Sequence, residues 1–194
     1  ALQTIGMREG VKRVAGMYII LTAKGPLFLA DTTVNLNPTA EELADITLLT
    51  AQEVRHLNVV PRIAMLSYSN FGSSPTPEAM MVRDALKIVK EKAPGLVVDG
   101  EIQASMAFNE EAIRESFPLS ELVAGGVNTL IFPNLSAGNI AYNLLMEVAG
   151  FDTIGPILMG LDKPVHILQL GSTVRQIVNM VAIAVVDAQE RDRR

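Results

Sequence analysis

Three stretches of this chain gather side chains that could hold or transfer a small polar group. The first is Ser67-Tyr68-Ser69-Asn70-Phe71-Gly72-Ser73-Ser74, with five hydroxyls and a glycine in eight residues. Between a strand and a helix it could cradle a phosphate or a phosphopantetheine arm; an ordinary polar connection uses the same residues. The second runs Phe132-Pro133-Asn134-Leu135-Ser136-Ala137-Gly138-Asn139-Ile140-Ala141-Tyr142, with Ile154-Gly155-Pro156-Ile157-Leu158-Met159-Gly160 downstream. Backbone N–H groups at a helix start can hold an anion, and small side chains let a ligand approach. Close packing of a helix on a sheet needs small residues too. The third is Gln169-Leu170-Gly171-Ser172-Thr173-Val174-Arg175-Gln176-Ile177-Val178-Asn179.

Other chemistry-bearing residues point nowhere specific. His56 and His166 lie far apart, neither in a metal-ligand spacing, and His166 within an apolar run reads as a core histidine. Asp99 and Glu101 read as turn and cap residues. There is no hydrolase triad, phosphate-binding lysine loop, dinucleotide fingerprint or metal cluster.

The elements that must position these stretches alternate. Met17–Thr22 and Leu27–Ala30 are apolar runs joined by Ala23-Lys24-Gly25-Pro26, a hairpin-like turn. Thr39 with Glu42 three residues on is a capping box, opening a helix with Leu43, Ile46, Thr47, Thr50, Val54 and Leu57 on one side. Strands are expected at Arg62–Leu66, Leu96–Gly100, Thr129–Phe132 and Val165–Leu168. Helices are expected at Glu78–Lys92, at Asn109–Ser116, from Gly138 and Asn139 through Val148, and from about Ser172 to Glu190. This alternation implies an α/β fold, a mainly parallel sheet with helices on both faces. Ligands then sit beyond the carboxyl ends of the strands, where the first two stretches fall. Residues Ile177–Val186 hold only one polar side chain, Asn179. A helix apolar on every face must be covered on every face.

With 194 residues, 49% hydrophobic and 19% charged, the chain suffices for a single domain spanning 1–194. Sixteen basic against twenty-one acidic residues give a net charge of −5, which gives no support for nucleic-acid binding. No cysteine is present, so disulfides and thiolate chemistry are excluded. No run approaches the length of a membrane span, and the start carries no secretory pattern and no methionine, which reads like a cut end. A cytoplasmic location is expected.

The first two stretches resemble the signature of the phosphate acetyltransferase family, which moves acetyl between coenzyme A and phosphate. Ser69-Asn70-Phe71-Gly72-Ser73 is similar to the family's Ser-Thr-Lys-Gly-Ser, with Phe71 at the lysine. The resemblance implies a core of the isocitrate/isopropylmalate dehydrogenase-like type. It marks Ser69, Asn70, Gly72 and Ser73, together with Ser136, Ala137, Gly138, Asn139 and Tyr142, as candidate ligand-binding positions. In the third stretch the family's serine, arginine and aspartate, to which acetyl transfer and phosphate binding are assigned, match Gln169, Leu170 and Gln176. All three lose the ionic or hydroxyl function, and an arginine bond to phosphate is charge-assisted. No catalytic residue is therefore expected. Arg175 would leave a helix about 100° around the axis from Gln176 and is no substitute.

Asp31-Thr32-Thr33-Val34-Asn35, the serine loop and Ala182-Ile183-Ala184-Val185-Val186-Asp187-Ala188-Gln189 together resemble the C-terminal domain of bacterial multidomain NADP-dependent malic enzymes. That resemblance covers nearly the whole chain. It implies a regulatory and oligomerising domain responsive to acetyl coenzyme A, attached in cis to an upstream decarboxylase that converts malate to pyruvate. NADP and a divalent metal are expected only in that upstream part; no cofactor and no metal are expected here. A homo-oligomer, dimer or higher, is expected, with Ile177–Val186 packing on a neighbouring chain or partly exposed. An active phosphate acetyltransferase and a purely structural module are the alternatives.

Overall fold

The computed structural model describes residues 3–123 and 125–192, the side chains of 190–192 excepted. Strands β1 (Ala15–Thr22) and β2 (Gly25–Ala30) form the hairpin, paired from Met17 opposite Ala30 to Thr22 opposite Gly25. There follow α1 (Ala40–His56), β3 (Arg62–Leu66), α2 (Pro77–Lys92), β4 (Val97–Ile102), α3 (Ala104–Ala107), α4 (Glu110–Ser116), a 3₁₀ turn at Glu121–Val123, β5 (Thr129–Ile131), α5 (Leu135–Ala149), β6 (Asp152–Met159) and α6 (Val174–Asp192). The sheet order is β4-β3-β5-β2-β1-β6. β4, β3, β5 and β2 are parallel neighbours, and β1 alone runs against the rest, antiparallel to both β2 and β6.

Alternation along β1 explains the two layers. Met17 and Ile19 face a core filled by Leu43 and Ile46 of α1, Val82 and Val89 of α2 and Met180 of α6. Tyr18 and Ile20 face the other core, with Ala107, Ile113, Leu122 and Tyr142 from α3 to α5. Helices thus cover both faces. The capping box forms: Thr39 N donates to Glu42 Oε2 at 2.9 Å and Glu42 N to Thr39 Oγ1 at 3.3 Å. That Thr39 N–H, and after it Arg13, hold the Glu42 carboxyl below the usual range.

Two expected elements differ and one strand was not expected. Asp152–Met159 is a strand, although Gly155 and Pro156 interrupt its pattern; β6 lies at the sheet edge, where proline is tolerated. Val165–Leu168 is not a strand. It touches β6 through one bridge, His166 to Ile157, with Ile167 and Leu168 exposed and His166 only half-buried. Helix α5 begins at Leu135, before the expected Gly138, because the Asn134 side chain caps it by accepting from Ala137 N at 2.9 Å. Among the described residues no helix is long and apolar enough to cross a membrane.

Candidate functional site

The connections leaving β2, β3 and β5 meet at the carboxyl ends of these parallel neighbours. They enclose a crevice of about 640 Å³, lined by Asn37 and Pro38, Leu66 to Tyr68, Pro77, Glu78 and Met81, Ala104, and Phe132 to Asn134 with Ala137. The first turns of α2 and α5 line it, and so does the connection that leads into α1, through Asn37 and Pro38. Glu78 is the one lining residue with a full charge.

The serine loop beside this crevice is closed on itself. Ser69 is buried; its hydroxyl donates to Glu101 Oε1 at 2.6 Å and accepts from Ser74 N at 3.0 Å. Gly72 N donates to the same Glu101 oxygen at 2.9 Å, and Arg83 of α2 lies 3.3 Å from its Oε2. Asn70 Oδ1 accepts from Gln103 N at 2.8 Å, while Ser73 Oγ accepts from Asn70 N at 2.9 Å. Phe71, at the family's lysine position, packs against Phe117 with ring centroids 4.4 Å apart and the planes tilted by 44°. Ser69 and Ser73 therefore shape the loop, and Ser67 and Tyr68 are its residues that line the crevice.

At the start of α5, Ala137 lines the crevice, Ser136 and Asn139 are exposed, and Asn139 Nδ2 reaches Thr32 O at 3.4 Å. Gly138 is where the helix meets the sheet: a Cβ there would lie 2.3 Å from Asp31 O. Asp31 in turn organises the whole connection after β2. Its carboxylate accepts from the backbone N–H groups of Gly16, Thr33, Val34 and Asn35 at 2.8–3.1 Å.

Tyr142 lies behind a second cavity, of about 150 Å³, which Tyr18 lines. It stacks on Tyr18 at 4.2 Å, interplanar angle 14°. Burial, then the neighbouring Tyr142, push the Tyr18 phenol well above its ordinary pKa. Gln169 Nε2 donates to Tyr18 Oη at 3.1 Å. Gly155 of β6, at φ +153°, leaves room for the Tyr18 ring; a Cβ would come within 2.6 Å of it. Gln169, Leu170 and Gln176 all line this cavity, with Ser172 and Met180. Gln176 Oε1 accepts from Thr173 N at 2.8 Å while Gln176 N donates to Thr173 Oγ1 at 3.2 Å, a capping pair for α6. Leu170 is fully exposed. Arg175 turns away to Asp152, at 2.9 Å on the surface. None of the lining residues carries a charge at neutral pH.

The candidates thus divide between two places, and the fold adds four residues that spacing did not reveal. Glu101 reads as a turn or cap residue and Asp31 has no role of its own in the sequence, yet both are buried carboxylates serving backbone and hydroxyl donors. Arg83 and Tyr18 sit inside regular elements, where periodicity identifies a face and not a partner.

Residues 1–185 match the phosphate acetyl/butaryl transferase family. The chain is 48% identical over 186 residues to an NADP-dependent malic enzyme of Haemophilus influenzae, covering 96% of this chain and 24% of that protein. It is 38% identical to a phosphate acetyltransferase of Bacillus subtilis, covering 97% and 58%. A phosphotransacetylase structure from Streptococcus pyogenes superposes with a TM-score of 0.90 at 39% identity, over 97% of this chain and 58% of that one. The chain spans about a quarter of the malic enzymes and somewhat over half of that acetyltransferase. With the sequence match and the superposed fold in agreement, the chain belongs to the phosphate acetyl/butaryl transferase family.

Proposed function

We propose that this chain is a non-catalytic regulatory and oligomerising domain that binds acetyl coenzyme A or a related thioester. The observation that carries this reading is the fate of three side chains. Where the family resemblance places a serine, an arginine and an aspartate, Gln169 bonds a tyrosine, Leu170 points to solvent and Gln176 caps a helix. An uncharged cavity offers phosphate no charge-assisted bond, worth roughly 1.5–3 kcal/mol each. The crevice beside the serine loop is largely apolar and large enough for a pantetheine arm, with the starts of α2 and α5 beside it for its polar end.

The similarity to malic enzymes supports placing the domain in cis with an enzyme that converts malate to pyruvate and CO2. The nicotinamide cofactor and divalent ion of that reaction belong to the parent protein outside these residues. Apolar side chains on α5 (Ile140, Leu144, Val148) and α6 (Val178, Val181, Val185) are exposed, which supports assembly with a second copy.

Thermal-shift titration with acetyl coenzyme A tests the binding. Ligand at a hundredfold its dissociation constant adds about 2.7 kcal/mol, or roughly 5–10 °C at this chain length. No shift at millimolar ligand overturns binding by this chain. Arsenate-dependent loss of acetyl coenzyme A, abolished by Ser69→Ala or Gln169→Ala, would instead establish a working transferase.

A further inference from the structure

Spacing along the sequence gives neither histidine a metal-ligand partner set, but the fold assembles one around His56. We propose that Glu53, His56 and Asp187 form a site for a divalent transition ion, zinc above all, that fastens α6 to α1. Glu53 and His56 stand three residues apart on α1 and so share one face; Asp187 comes from α6. All three are buried, at 5%, 8% and 2% exposure, and one ligand atom from each lies within 4.8 Å of the others. His56 Nδ1 is 3.6 Å from Glu53 Oε2. A tetrahedral site with bonds of about 2.0–2.1 Å holds its ligands about 3.4 Å apart. That pair is already near the required spacing, and a small inward shift of Asp187 completes the set.

A second observation points to a cation. Glu53 Oε1 is buried and receives no hydrogen bond. Among the described residues the Glu53 carboxylate pairs with no lysine or arginine. Burying a carboxylate oxygen with no hydrogen-bond partner is costly, and a bound cation removes that cost. His56 is the last residue of α1, where the helix dipole is negative and favours positive charge. One imidazole nitrogen with carboxylate oxygens suits zinc, manganese, iron(II) or cobalt, whereas calcium requires six to eight oxygens. Glu53 Oε1 can add a second contact from the same carboxylate, which distorts the set from a regular tetrahedron, and the burial of all three side chains makes the site structural. Binding is then coupled to the docking of α6.

The tag-free chain, stripped with EDTA and dialysed, is titrated with Zn²⁺ alone. The expected result is uptake of one ion per chain by calorimetry and elemental analysis, with a rise in melting temperature of about 5–10 °C at saturating metal. His56→Gln and Asp187→Asn should each abolish both. If those variants do not fold, the unaltered chain still decides. It has two histidines, and Co²⁺ should shift the ring resonances of His56 while leaving those of His166 in place. No stoichiometric uptake, undiminished uptake in folded variants, or Co²⁺ shifts at His166 in place of His56 would each overturn the site.

Discussion

Glu101 accepts the Ser69 hydroxyl at 2.6 Å, and both side chains are withdrawn from solvent. The serine loop is therefore held from below by a strand-end carboxylate, which Arg83 balances from α2. Replacing Arg83 by methionine keeps most of the stem and removes the charge partner. Hydrogen bonds and contacts to a charged group are worth about 1.5–3 kcal/mol, and a loss of that size is expected in urea unfolding. A loss under about 0.5 kcal/mol, the level of an inert surface change, would show that Arg83 does not hold the loop.

Gly138→Ala should be costly for a different reason. Its Cβ would meet the Asp31 carbonyl oxygen, a backbone atom that cannot swing aside. Helix α5 must shift, at a cost of about 1–3 kcal/mol, although alanine is the better helix former by about 1 kcal/mol. A neutral or stabilised variant would contradict the close contact of α5 with the turn after β2.

Tyr18 predicts an alkaline limit. Its folded pKa is raised, so the unfolded chain releases this proton first as pH rises. The resulting stability is fully present below the unfolded tyrosine value of about 10 and falls progressively above it. Absorbance titration should show one tyrosine that stays protonated in the folded chain beyond that point. Tyr18→Phe should flatten the loss of stability above about pH 10; an unchanged slope would remove Tyr18 as its cause.

The exposed valines of α6 give an assembly prediction. Val178→Glu with Val181→Glu places charge on the apolar stripe, and charge is excluded from the centre of such contacts. Light scattering should show a smaller particle for the double variant than for the parent, with circular dichroism unchanged. Equal masses would mean that this stripe is not the contact between copies.

The parts legible in the sequence are those governed by near neighbours. The Thr39–Glu42 box and the alternation of strands and helices formed where spacing put them, and the hairpin formed with a tighter turn, Ala23-Lys24, leaving Gly25 and Pro26 paired within β2. Strand β6 was obscured because Gly155 and Pro156 serve a long-range purpose, making room for Tyr18 at a sheet edge where a missing N–H is tolerated. Val165–Leu168 shows the converse: an apolar run that covers an edge without joining it. In the site, local motifs located the loops but not their internal partners. Glu101, Arg83 and Tyr18 act across distances in the chain that periodicity does not encode, and the Gln169 contact depends on two segments meeting.

The paired rings of Tyr18 and Tyr142 also make the molecule its own optical reporter. The chain has no tryptophan and three tyrosines, so its ultraviolet emission comes chiefly from tyrosine, and two of the three form this pair. Any occupant that disturbs Gln169 or lifts α5 alters their overlap, and so the light emitted, without an attached dye.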